Sequence, residues 1–433
     1  EAVKQGRCLT QPRGGFATFE MHKNLLQTLD REGLADVVPT TTDSYTRNER
    51  FAEAQKGADE SEANRRSMLN GFPLVNAGVK KCRELTAAVN KPIIALTGTA
   101  FPRLTGEIAY AGGLTGYLGS GIAYTTSYTK DTSVAEGIQN YQYLDRLVAE
   151  YQEKGVELHR RQPGFLTGPN IVPAIAIAIA IADALLAAAQ GVRQYGLELG
   201  QTLQLVQDAV SIGVCNELTQ EYLKRKGYGD VFTTVTSLHW MGAWPMDQAQ
   251  AFGLMVYGGF AGAVGGAVSV TTKSAAEAFG LPTPEQNAEG LRATRMGIYL
   301  ARTVKLHGLP EYLREKELLE LEVRSIVDKI LEAGDGDVAI GTIRALKAGL
   351  LDVPWAPNRE CKNAIMPARD GDGYLRLVDT GNLPFPKEVR DFHEQRLRAA
   401  AKASGKTYGP DLAIDSVYEL SANISDLMPN SWE

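Results

Sequence analysis

Two loops near the start of the chain carry the residues best suited to hold a charged ligand. The first, Thr10-Gln11-Pro12-Arg13-Gly14-Gly15, follows a short piece, Arg7-Cys8-Leu9, that reads as a strand end. Pro12 stops regular structure, and Gly14-Gly15 lack the Cβ that keeps backbone away from a ligand. The second, Pro39-Thr40-Thr41-Thr42-Asp43-Ser44-Tyr45-Thr46-Arg47, repeats the order of strand, proline and arginine after Ala35-Asp36-Val37-Val38. A guanidinium on a stiff turn forks a carboxylate or phosphate. Either arginine alone reads as a solvated loop residue. Two such units in succession read as a built site.

Other candidate groups follow, each with a plainer reading beside it. Tyr124 and Tyr128 suit a site or the packing of a rim. Arg160-Arg161 suits a site or a solvated charge run. Lys273 and Glu277, four apart, suit a ligand role or a surface pair at helical spacing. No carboxylate pair and no nucleophile–base couple stands out, so acid–base hydrolysis is poorly served. Five scattered histidines without H-E-x-x-H predict no protein-built metal site. The four cysteines lie far apart, which suggests neither a disulfide framework nor a zinc ribbon and fits a cytoplasmic location.

These groups need a large scaffold, and 433 residues with 44% hydrophobic and 22% charged content supply one. A formal net charge of -6 argues against a nucleic-acid surface. The nearly apolar run from 171 to 189 approaches membrane-spanning length, but it holds Pro173 and Asp183 and is rich in alanine. A buried helix is the better reading. Strands are expected near Cys8, Val37, Ile93, Ile122, Val156, Leu197, Val235 and Val268, with helices between most of them. That alternation predicts a TIM (β/α)8 barrel over residues 1–285, followed by a helical and irregular extension, 286–433, packed on the barrel. A doubly wound sheet is the alternative, but no G-x-G-x-x-G follows a strand. In a barrel the site lies at the C-terminal strand ends, where Arg13, Arg47, Leu96, Leu118 to Tyr128, Arg160-Arg161 and Lys273 fall.

Several of these segments together resemble the large (epsilon) subunit of glutamate mutase, from about residue 6 to about residue 385. The resemblance rests on Gln11-Pro12-Arg13, Asp43-Ser44-Tyr45-Thr46-Arg47, Leu69-Asn70-Gly71-Phe72-Pro73, Ala111-Gly112-Gly113, Trp240-Met241-Gly242 and Ala339-Ile340-Gly341-Thr342. It implies an adenosylcobalamin-dependent carbon-skeleton mutase. In that family the barrel mouth is capped by cobalamin carried on a small cobalamin-binding subunit, and homolysis of the cobalt–carbon bond starts radical chemistry. The resemblance puts Arg13, Arg47, Tyr124 and Tyr128 at the substrate. It puts Gly15, Asn70, Ser127, Trp244, Lys273, Glu277 and Leu281 at the cofactor. Ser127 replaces a family proline, and Trp244 a phenylalanine.

The substrate face departs further from the family. Leu96-Thr97 replaces an arginine–histidine pair, Leu118 a glutamate, and Arg161 another glutamate. The expectation is therefore a radical mutase acting on an amino acid other than free glutamate. Glutamate mutase proper, converting L-glutamate to 3-methylaspartate, and a non-catalytic barrel that binds a cobalamin-carrying partner are the alternatives. The D-x-H-x-x-G motif that supplies cobalamin's lower ligand is absent. His239 lacks the Asp and His393 the Gly, so cobalamin is expected on a partner chain. An oligomer is expected, and neither a membrane nor a nucleic acid partner.

Overall fold

A computed structural model describes residues 3–164 and 170–421. The chain begins with β1 (Leu9–Pro12), α1 (Phe19–Arg31), β2 (Val38–Thr41), α2 (Ser44–Arg47), α3 (Phe51–Asn64), α4 (Leu74–Ala87) and β3 (Ile93–Leu96). It continues with α5 (Arg103–Ala111), β4 (Gly116–Leu118), α6 (Gly121–Tyr128), α7 (Val134–Glu153), β5 (His159–Arg161), α8 (Pro173–Ala189) and β6 (Gln194–Gly200). Next come α9 (Leu205–Arg225), β7 (Phe232–Leu238), α10 (Gln248–Val264), β8 (Ser269–Thr272) and α11 (Pro284–Ala301), which packs between α10 and α1. The expected TIM-like barrel is present. Eight strands pair in parallel in the order β1-β8-β7-β6-β5-β4-β3-β2.

The seam between β1 and β2 explains both early prolines. Backbone N–H groups of Val38 and Thr42 donate toward β3, so the intervening residues face β1. Leu9 likewise donates toward β8, so Thr10 and Pro12 face β2. Pro12 and Pro39 therefore sit where no ladder bond is lost. Single bonds close the gap, Asp36 N–H to Thr10 O at 3.0 Å and Thr41 N–H to Gly14 O at 2.9 Å. The Asp36 carboxylate adds to these by accepting from Thr10 N–H at 2.9 Å. β1 ends at Pro12 as expected, whereas Pro39 lies inside β2 rather than closing a strand.

Two further expectations shift. Ile122 belongs to α6, and the fourth strand is only Gly116–Leu118. Val156 is exposed in a loop, and the fifth strand is His159–Arg161. The arginine pair thus lies within a buried strand. Arg160 is fully buried, with its Nε donating to Asp145 at 2.7 Å and its other nitrogens to the Tyr117 and Gly119 carbonyls. It is no solvated charge run.

The apolar run becomes α8, buried along Pro173 to Ala188. A helix apolar all round must be covered all round. Neighbours α7 and α9 flank it, and the extension supplies its outer cover: α12 (Pro310–Ala333) crosses α8 and α9, and α13 (Val338–Ala348) crosses α7 and α8. The extension is more regular than its Gly/Pro punctuation suggested. It adds the antiparallel hairpin β9 (Met366–Arg369) and β10 (Leu375–Asp379), then α14 (Lys387–Ala403) and α15 (Pro410–Ser421). No helix among the described residues is long and apolar enough to cross a membrane.

Candidate functional site

At the C-terminal ends of the strands, three loops are laced backbone to backbone. Phe72 N–H donates to Thr41 O at 2.7 Å and Asp43 N–H to Phe72 O at 3.3 Å. A Cβ on Gly15 would lie 2.3 Å from Thr41 O, and one on Gly71 2.5 Å from Asp43 N. Gly15 is therefore required by the packing of loop on loop, rather than by a ligand alone. This lacing fixes α2, whose N-cap Asp43 accepts from Tyr45 N–H and Thr46 N–H. Asn70 stands exposed on the rim and accepts from Ser44 N–H at 3.0 Å.

The stiffened loops bring Arg13 and Arg47 to one pocket with Tyr124 and Tyr128 of α6, Leu96 of β3 and Leu118 of β4. Arg47 donates from Nε to Thr42 O at 2.6 Å, and Arg13 reaches the Met241 sulfur at 3.7 Å. Neither guanidinium pairs with a carboxylate among the described residues. Burial pulls the Arg47 pKa below its ordinary value, with the nearby Arg13 charge adding, while Tyr128, Tyr124 and Asp43 oppose. Two convergent guanidiniums without a carboxylate at ion-pair distance have donors to spare for an anion.

Leu96 and Leu118 are adjacent in register and form an apolar wall with Ile94. Tyr124 is buried and packs edge-on against Tyr128 at 5.2 Å, and Tyr128 is 41% exposed at the mouth. Burial lifts the Tyr124 hydroxyl pKa well above its usual value, so it stays a neutral donor. Ser127, on the same helix, keeps a buried hydroxyl with no hydrogen-bond partner.

Arg161 lies deeper than expected. It is 3% exposed, its Nη1 donates to Gln11 at 3.0 Å, and its Nη2 lies 3.4 Å from the Glu198 carboxylate. It is not among the residues lining this pocket, whereas Glu198 is. Sequence reasoning passed over Glu198. The available signal was an acid inside the otherwise apolar Tyr195-Gly196-Leu197-Glu198-Leu199.

Lys273 follows β8 and is 4% exposed, so the pair it makes with Glu277 at 2.6 Å is not a surface pair. Residues 275–279 form turns rather than a helix. Burial lowers the Lys273 pKa and Arg13 adds to this, while Glu277 opposes it. The ammonium also lies 5.4 Å over the ring of Trp244, whose Nε1 donates to Trp240 O. In the loops after β7 and β8, which also carry Trp244 and this pair, Met246, Phe279 and Leu281 are exposed. A buried ammonium paired with a partly exposed carboxylate and set over an indole, in loops that also expose apolar side chains, suits a large ligand with a polar arm. His239 is buried, with Nδ1 at 3.4 Å from Lys273 N, and His393 is occupied by Glu322 and the Leu377 N–H. Among the described residues no cluster of His, Cys, Asp and Glu is arranged to hold a metal.

The family model of the methylaspartate mutase E chain matches residues 1–425. Proteins named glutamate mutase epsilon subunit are similar over nearly the whole chain. The one from Desulfitobacterium hafniense is 42% identical over 431 residues, covering 100% of this chain and 89% of that protein. Those from Treponema denticola and Yersinia enterocolitica are each 41% identical, covering 98% and 97% of this chain and 87% of their own length.

Proposed function

The chain belongs to the methylaspartate mutase E chain family, and on that premise we propose that it holds the substrate of an adenosylcobalamin-dependent carbon-skeleton mutase acting on an amino acid other than free glutamate. The observation that carries this is the division of the pocket. Arg13 and Arg47 converge without a carboxylate partner among the described residues, and the facing wall is Leu96 with Leu118. One carboxylate is served there. A second, lying against leucine, would be buried without compensation at a cost of several kcal/mol.

When bound, adenosylcobalamin supplies removal and return of a substrate hydrogen atom, chemistry that needs no acid–base pair from the protein. The chain's own residues bind and enclose. Arg13 and Arg47 fork the carboxylate, and neutral Tyr124 donates to it or to a neighbouring polar group. Tyr128 covers the mouth, while Lys273, Glu277 and Trp244, with the exposed Met246, Phe279 and Leu281, receive the cofactor's nucleoside arm. With His239 and His393 both buried inside the protein, cobalamin is carried by a partner subunit, so the single chain does not bind it tightly.

The test is anaerobic electron paramagnetic resonance of the reconstituted complex with a panel of amino acids. An aliphatic amino acid is expected to give a radical signal where glutamate gives little. The double variant Leu96→Arg, Leu118→Glu should move the preference toward glutamate. Efficient glutamate isomerisation by the unmodified complex overturns the substrate assignment and returns the reading to glutamate mutase proper.

A further inference from the structure

We infer that Glu198 receives the ammonium group of the substrate, which makes the pocket selective for a 2-amino acid over the matching carboxylic acid. The inference rests on the proposed amino-acid mutase and names how that site recognises its ligand. Glu198 is the one acid among the described residues that line the pocket, and it is 2% exposed. Its side chain points into the barrel, where Oε2 accepts from the Thr271 hydroxyl at 2.8 Å and Oε1 from Gly164 N–H at 3.1 Å. A carboxylate offers about four acceptor positions. Two are filled, and the Arg161 contact at 3.4 Å is an ion pair without a hydrogen bond from that nitrogen. Capacity is left for an ammonium.

Arg161 explains how a buried acid persists before any ligand arrives. Its charge offsets Glu198, and Gln11 of β1 holds the guanidinium from the far side. Arg161 is thus a positioning residue acting through Glu198. The pocket then has three separated functions: cations at Arg13 and Arg47, an anion at Glu198, and an apolar wall at Leu96 and Leu118. A zwitterionic head group with an aliphatic side chain satisfies all three. The carboxylate that the sequence lost at position 118 of β4 is met by another from β6.

The experiment is calorimetric binding to the full chain with two matched pairs, L-valine against isovalerate and L-glutamate against glutarate. A charge-assisted hydrogen bond predicts that the bound amino acid exceeds its amine-free partner by about tenfold to a hundredfold, and that Glu198→Gln abolishes this ratio while leaving isovalerate or glutarate nearly unchanged. If Glu198→Gln unfolds because Arg161 is orphaned, Glu198→Gln with Arg161→Gln keeps the site neutral and reads the same ratio. An unchanged ratio in the variant overturns the inference, as does failure of both amino acids to bind the wild-type chain. Retained amino-acid binding without any radical signal in the complex instead overturns the mutase reading and leaves Glu198's role standing.

Discussion

Arginines in two regions of this molecule, the extension and the barrel mouth, are treated in opposite ways. In the extension, Arg376 of β10 meets Glu315 of α12 twice, at 2.9 and 2.6 Å, and Asp370 at 3.6 Å. Glu315 also accepts from Gln207 of α9, so the network ties the hairpin to the barrel. At the barrel mouth, Arg13 and Arg47 meet a methionine sulfur, a backbone carbonyl and each other's field. Carboxylates of Glu315 and Asp370 neutralise Arg376, although its Nε lacks a hydrogen-bond partner, whereas no carboxylate pairs with Arg13 or Arg47 among the described residues. The comparison separates staple from site without reference to any relative.

The strongest way to break the comparison is at the staple. Glu315→Ala removes both close carboxylate contacts of the buried Arg376, leaving Asp370 at 3.6 Å and the charge of Glu322, and it should cost about 3–5 kcal/mol in denaturant unfolding. Replacing both partners by apolar residues of similar size should recover most of that loss. A small effect of the single change would mean that the extension's network does not hold the hairpin.

At the mouth the opposite pattern is expected. Arg13→Met should leave the unfolding midpoint almost unchanged and weaken carboxylate binding by about ten- to a hundredfold, the worth of a charged hydrogen bond. A loss of stability comparable to that of Glu315→Ala would reclassify Arg13 as a staple.

A third, smaller effect sharpens the contrast with a buried acid in the barrel. Asp183 of α8 accepts from Ile122 N–H and thereby starts α6, which carries both tyrosines. Arg160, which lines the same small cavity, is paired with Asp145 instead. Burial raises the Asp183 pKa from 3.8 to about 7, against the pull of its hydrogen bonds. Between those values the folded chain keeps a proton that the unfolded chain releases, so stability falls as pH rises through the window. The slope is at most about 1.4 kcal/mol per pH unit. Urea midpoints at several pH values should show it, and Asp183→Asn should flatten it.

Much of the scaffold follows from the order of residues alone. The alternation of apolar strand and helix and the burial of α8 depend on periodicity, which neighbouring residues carry. The meeting of Arg13 and Arg47 was legible for the same reason, since successive strand ends in a barrel share one face. Tertiary structure alone decided the rest. Strands of three residues, such as β4 and β5, show no period, and their extent is set by the ladder Gly116 to His159. Arg160 is buried because Asp145, on the preceding helix, comes to meet it. Pro12 and Pro39 fit because the sheet closes with few bonds between β1 and β2. Glu198 sits beside Arg161 and Thr271 because strands distant in sequence surround one barrel interior, and no local pattern encodes which charges meet there.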